Sequence, residues 1–286
     1  MWNVKLEKSL LARFIFIGAL ILCGCKGKLP QVSSSDGLPI SYSLYGTGRT
    51  TIVFIHGWSC DRSYWKEQVE SFATQFQVVT IDLAGHGESG TGRQVWTIDS
   101  FGEDVAAVIK KLDLKRVILV GHSMGGDVIV SAALQMPERV KGLIWVDVYK
   151  QLRTFRSPEQ IDTFVSSFED HFQEKTEAFV RSMFPDNADK ALVEQVAKDM
   201  SSAPPPIALA AMKSSISNDR KITVGLNTLK LPIVAINPDT PATDMESMNA
   251  AGVDVVLMPD VGHFLMMEKP EEFNALLFKV LEKLNI

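Results

Sequence analysis

The chain has 286 residues, 46% hydrophobic and 22% charged, enough apolar material for one large core or two small ones. A formal charge of −5 and a pI near 5.6 provide no basic face, which sets nucleic-acid binding aside. Its three cysteines include no C-x-x-C pair, and no Cys/His cluster has the spacing of a metal site.

The first 29 residues read as an export signal rather than as part of the globular fold. Lys5, Lys8 and Arg13 precede the apolar run from Phe14 to Leu22, and a small-residue site follows at once. That run is shorter than the roughly 20 apolar residues a membrane-spanning helix takes. Leu22-Cys23-Gly24-Cys25 resembles a bacterial lipoprotein box, although Cys23 is unusual at its position. The resemblance implies that residues 1–24 are removed as a signal peptide and that Cys25 is lipidated, its acyl chains together forming a stable membrane anchor. Lys26, where retained lipoproteins carry Asp, resembles the pattern of proteins sent on to an outer membrane, so the expected location is periplasmic. Cys60 is then the one cysteine left in the folded domain, and no internal disulfide is expected. Residues 25–39, ending in LPQVSSSDGLP, read as the lipidated cysteine and a flexible tether.

Beyond the tether, strand-like and helix-like segments alternate. Ile40 to Tyr45 reads as an edge strand, followed by buried strands at Thr51–Ile55, Val78–Ile81, Arg116–Val120 and Gly142–Val146, and later at Ile233–Ile236 and Asp254–Met258. Helical spacing marks Ser63–Phe72, Ser100–Leu112, Gly125–Met136 and Glu271–Asn285. Such alternation predicts an α/β fold with a doubly wound, mostly parallel sheet. Residues 149–227 break the pattern, being helical, rich in Phe and Met, and interrupted by Pro204, Pro205 and Pro206. Too long for a connection, this stretch is expected to form a helical cap inserted before the last two strands, dividing the core into 40–148 and 228–286. Its aromatics mostly build the cap's own small core, with two or three facing an apolar pocket.

The chemistry is concentrated at ILVGHSMGGDVIV, residues 118–130. Gly121, Ser123 and Gly125 form G-x-S-x-G where a buried strand gives way to a helix, the pattern of a nucleophile elbow. With IVFIHGW ending one earlier strand, the glycine-rich DLAGHGES ending the next, and PDVGHFLMMEKPEEF near the end, the order of motifs resembles the α/β-hydrolase superfamily over all of the chain after the tether. The resemblance implies a serine hydrolase that cleaves carboxylic esters of a small, apolar substrate through an acyl-enzyme, with no metal or organic cofactor.

A serine hydroxyl needs a base at neutral pH, and five histidines are available. His56 and His86 lie in turn motifs, His122 adjoins the serine and points away from its hydroxyl, and His171 falls in the cap. His263 remains, and it resembles the family's late catalytic histidine. The resemblance places the oxyanion donors at the backbone amides of Trp58 and Met124, makes His56 a buttress, and makes Asp82 and His86 structural. Cys60, with no paired base in its motif, reads as a small buried hydrophobe. The acid departs from pattern: the family's G-x-x-D would fall in NPDTPATD, where Pro238 and Pro241 stand at the glycine and acid positions. Asp147, ending the strand LIWVD, is preferred, with Asp239 as the alternative and Asp244 behind them. The rival function is a ligand-binding or receptor protein on the same fold, supported chiefly by that missing acid.

Overall fold

In the computed structural model of the chain, residues 30–284 are described. The signal, the lipoprotein box and Cys25 lie outside them. No helix among the described residues is long and apolar enough to cross a membrane.

Eight strands form one sheet: β1 (Gln31–Ser33), β2 (Pro39–Tyr45), β3 (Thr51–Ile55), β4 (Gln77–Ile81), β5 (Val117–His122), β6 (Val140–Val146), β7 (Ile233–Pro238) and β8 (Val253–Met258). Their spatial order is β1-β2-β4-β3-β5-β6-β7-β8. Every pairing from β4 to β8 is parallel, and only β1 and β2 run antiparallel to their neighbours. The central strands β3 and β5 are buried along their whole length, which is why they read as unbroken apolar runs.

Before the inserted segment come α1 (Lys66–Phe72), α2 (Ile98–Lys111) and α3 (Met124–Gln135). Thr97 and Ser100 form a capping box that starts α2, and Lys110 and Lys111 end it, matching the helix dipole. The insertion contains no strand but five helices: α4 (Pro158–Ser166), α5 (Phe172–Arg181), α6 (Lys190–Ser201), α7 (Pro205–Ser217) and α8 (Asp219–Thr228). The proline run starts a helix rather than interrupting one: Pro204 is the N-cap of α7 and Pro205 its first residue, where a missing N–H costs nothing. α8 lies against α3, with Gly225 so close that a Cβ there would meet Leu134 at 3.1 Å and Val130 at 3.3 Å. After it come α9 (Met245–Ala250), α10 (Leu265–Glu268) and α11 (Pro270–Lys283).

Two expectations are corrected at the N-terminal edge. Residues 31–39 are not a flexible tether, because Gln31–Ser33 pairs antiparallel with Pro39–Ser41, and the edge strand is therefore β1 and not Ile40–Tyr45. Ser34 closes the turn by accepting from Leu38 N at 2.8 Å, and Gly37 takes φ +85°. Arg93 then ties Asp36 of this turn to Asp104 of α2. A three-residue strand with one buried side chain, Val32, is too short to show a period.

Candidate active site

The strand order reverses at β3, with β4 on one side and β5 on the other, so a crevice opens beyond the carboxyl ends of these strands. The candidate residues follow such ends: Trp58 after β3, Ser123 after β5, Asp147 after β6 and His263 beyond β8.

Ser123 takes φ 51° and ψ −124°, a strained conformation for a residue with a side chain. The glycines around it let backbones touch. A Cβ on Gly121 would lie 2.3 Å from Gly125 O, and one on Gly125 would lie 2.6 Å from both Ile55 O and His56 O. The Ser123 amide donates to Val146 O at 3.0 Å, which pins the turn to β6.

His263 Nδ1 donates to Asp147 Oδ2 at 2.7 Å. With that proton committed, Nε2 is the basic nitrogen of the neutral ring. Asp147 is also held by Lys150, whose Nζ lies 2.9 Å from Oδ1, and its side chain is only 11% exposed. Burial raises the Asp147 pKa, but the hydrogen bond from His263 and the charges of His263 and Lys150 outweigh it, and the carboxyl sits below the ordinary range. Of the alternative acids, Asp239 is exposed and makes no hydrogen bond to His263. Asp244 is the N-cap of α9, accepting from Ser247 N at 3.0 Å.

Two supports were not anticipated from sequence. Glu268 accepts from the amides of Gly262 at 2.9 Å and Phe264 at 3.1 Å, clamping the turn that carries His263. His122 Nε2 donates to His263 O at 2.9 Å, and burial pushes its pKa down to about 3. The signal for Glu268 was an acid five residues past the histidine, at a helix end, next to unpaired amides. Nothing in the spacing pointed to the His122 bond, because its partner is a main-chain carbonyl far along the chain.

His56 and His86 are structural and neutral. His56 Nδ1 donates to Gly57 O at 2.8 Å while Nε2 accepts from Leu83 N at 3.0 Å, and burial lowers its pKa to about 4. His86 Nδ1 donates to Ala84 O at 3.0 Å, with its pKa pushed by burial to about 3. Buried Asp82 accepts from Glu88 N and Arg62 N, each at 2.9 Å, and pairs with the Arg62 guanidinium, so it ties loops beneath the site. Cys60 is buried, and desolvation raises its thiol pKa well above the ordinary value, as befits an inert packing residue.

Ser123, His263, Trp58 and Met124 all line one cavity of about 230 Å³. Ser123 Oγ and His263 have no direct hydrogen bond there, a looseness usual before substrate binds. As the first residue of α3, Met124 has an amide with no intrahelical acceptor. Phe164, Phe179 and Met183 of the inserted segment close the cavity with apolar surface. The neighbouring Phe168 and Phe172 pack edge-on against Trp58, 6.4 and 6.3 Å between ring centres. Among the described residues no group of three or more His, Cys, Asp or Glu is arranged to hold a metal ion.

Residues 52–276 match the alpha/beta hydrolase family. The chain belongs to that family. This hydrolase is 27% identical over 270 residues to the dihydrolipoyllysine-residue acetyltransferase component of the acetoin cleaving system of Pseudomonas putida, covering 90% of the chain and 70% of that protein. It is 35% identical over 99 residues to a non-heme chloroperoxidase of Kitasatospora aureofaciens, a match covering 34% of the chain and 36% of the chloroperoxidase. A thermophilic esterase from Thermogutta terrifontis superposes with a TM-score of 0.77 at 24% identity, covering 91% of the chain and all (100%) of the esterase chain.

Proposed function

We propose that this hydrolase cleaves carboxylic esters through an acyl-enzyme formed on Ser123. The observation that carries the reading is the 2.7 Å hydrogen bond from His263 Nδ1 to Asp147, made on the wall of the cavity that Ser123 also lines. As Ser123 Oγ bonds to the ester carbonyl carbon, its proton passes to His263 Nε2. The carbonyl oxygen, now an oxyanion, accepts from the amides of Trp58 and Met124. Collapse breaks the bond to the alcohol oxygen, which takes the proton from Nε2. Water then attacks the acyl carbon, giving a proton to Nε2, and Ser123 leaves with it as the acid is released. Asp147 stays ionised throughout, fixing the ring's tautomer and stabilising the imidazolium. The apolar wall of Phe164, Phe179 and Met183 suits an apolar group beside the reacting bond.

A fluorophosphonate probe tests this directly. Labelling of the wild type and loss of labelling in Ser123→Ala are expected. A folded wild type that resists the probe supports the ligand-binding alternative instead.

The proposal extends to location. The basic residues, short apolar run and Leu22–Cys25 box support a lipid-anchored protein on the periplasmic side of a bacterial membrane.

A further inference from the structure

A second, larger cavity of about 490 Å³ adjoins the first. Ser123, Met124, Ser215 and Ile216 line both, so the two chambers meet at the serine. Their linings differ. The smaller is walled by Phe and Met, whereas the larger presents Asp127, Tyr149, Ser215 and Asp219, with Lys150 and Arg156.

Asp127 is the unusual member. It is 3% exposed in the first turn of α3, and its side-chain oxygens accept from two hydroxyls: Tyr149 at 2.6 Å and Ser215 at 2.7 Å. Desolvation pushes its pKa up to about 7. A carboxylate buried without a cation destabilises the fold, and tying down two hydroxyls does not by itself require one. Its effect on the chamber is specific. When Asp127 is ionised both hydroxyl protons are directed at it, so Tyr149 and Ser215 turn lone pairs to the cavity, and Asp219, which is also within 3.4 Å of the Tyr149 hydroxyl, adds further acceptors. Toward Tyr149, Ser215 and Asp219 a ligand group must bring donors, while Lys150, Arg156 and Gln160 line the same chamber with donors of their own. An ammonium would meet Lys150 and Arg156 on the same wall, and a carboxylate would meet Asp127 and Asp219. A neutral hydroxyl group satisfies the acceptors without opposing either charge.

The position of His263 orients the substrate. It lines the apolar chamber and not the polar one, and the departing alcohol must reach it for its proton. The alcohol therefore occupies the apolar chamber and the acyl chain extends into the polar one. We propose that the preferred substrates are esters of hydroxylated carboxylic acids with apolar alcohols, the acyl hydroxyl being read by Tyr149, Ser215 and Asp219 arranged around Asp127. The inference rests on the acyl-enzyme reading above and deepens it.

The test compares kcat/KM for phenyl 3-hydroxybutanoate with that for phenyl butanoate, and for 2-hydroxyethyl butanoate with that for ethyl butanoate. The wild type is expected to favour the hydroxylated acyl group about tenfold or more, since a site of buried hydrogen-bonding groups rejects an analogue that leaves them unpaired. A hydroxyl on the alcohol side is expected to give no gain. In Tyr149→Phe, and separately in Ser215→Ala, the acyl preference should fall toward one, with thermal melts confirming that each variant is folded. Equal rates for the two phenyl esters, a gain only on the alcohol side, or a preference that survives both substitutions would overturn the inference. Failure of the underlying reading shows itself differently, as absence of fluorophosphonate labelling at Ser123.

Discussion

His122 Nε2 donates a 2.9 Å hydrogen bond to the main-chain carbonyl of His263, so the residue preceding the proposed nucleophile holds in place the residue proposed as its base. The two rings lie 4.6 Å apart between centres. β5 and the loop after β8 are thus coupled at the point where the chemistry requires them to be in register. The other ring nitrogen, His122 Nδ1, is buried without a partner, and a Cβ on Gly57 would come within 2.9 Å of it. The imidazole is therefore a spacer with one working donor.

Replacing His122 with Phe keeps the volume and removes that donor. The stranded carbonyl of His263 should cost about 1–3 kcal/mol of stability, measured by urea unfolding. His122→Gln, which restores an N–H of similar reach, should recover part of the loss. A Phe variant as stable as wild type would show that the bond contributes nothing.

Asp147→Asn should lower kcat for short 4-nitrophenyl esters by roughly 10²-fold or more, because the amide no longer selects the tautomer that leaves Nε2 basic. Asp239→Asn should leave kcat near the wild-type value, its exposed side chain having no bond to His263. The reverse ranking would move the acid to the later loop.

The sequence made the strands, the elbow and the histidine readable because each is written locally. β5 opens on an unbroken apolar run, Val117 to Val120, and Gly121 is forced by main-chain contacts within a few residues of Ser123, although the contacts that force Gly125 come from Ile55 and His56 at the end of β3. Asp147 was harder to choose, because what selects it is the neighbouring of β6 and β7 and the fold of the loop after β8, which bring its carboxylate rather than that of Asp239 to His263. β1 escaped notice for the opposite reason: it is too short to carry a pattern, although Asp36-Gly37 is a hairpin signal. The polar chamber was invisible as well, since Asp127, Tyr149, Ser215 and Asp219 come from α3, the segment after β6, α7 and α8 and meet only in the folded chain.

His56, His86 and His122, with pKa values near 4, 3 and 3 against an ordinary 6.5, should stay neutral at pH 5.5. Imidazole NMR resonances should show His56 and His86 protonated on Nδ1 and His122 on Nε2, none shifting between pH 7 and 5.5. The unfolded chain takes up these protons first. Each histidine therefore lowers stability by about 1.4 kcal/mol per pH unit as pH falls from 6.5 toward its folded value. Asp104 and Asp127, raised to about 6 and about 7, work against this trend, since the unfolded chain releases their protons near the ordinary 3.8. A titration step near pH 6.5 from any of the three rings would contradict its burial.

Cys25→Ser should release the protein from the membrane fraction of a bacterial host and abolish incorporation of labelled fatty acid. Recovery of the Ser variant in membranes with the label still attached would place the anchor elsewhere. A domain starting at Pro30 should keep the activity of the full chain, because β1 begins at Gln31 and the sheet is then complete.

Gly121→Ala tests the closeness of the elbow. The new methyl would lie 2.3 Å from Gly125 O and 2.8 Å from Gly126 N, both main-chain atoms that cannot turn aside as a side chain can. Relief requires α3 to move away from β5, and such a shift also pulls Met124 and Asp127 from their places beside Ser123. The cost should therefore reach or exceed the upper end of the ~1–3 kcal/mol usual for overpacking, and fluorophosphonate labelling should slow in step with it. Gly92→Ala is the matched control, since its nearest contact would be Leu38 Cδ2 at an ordinary 3.6 Å. That variant should unfold at the wild-type denaturant concentration. If the two alanine variants unfold together, the main chain at the elbow yields to a methyl group without cost, and the strain held at Ser123 has no anchor in its glycines.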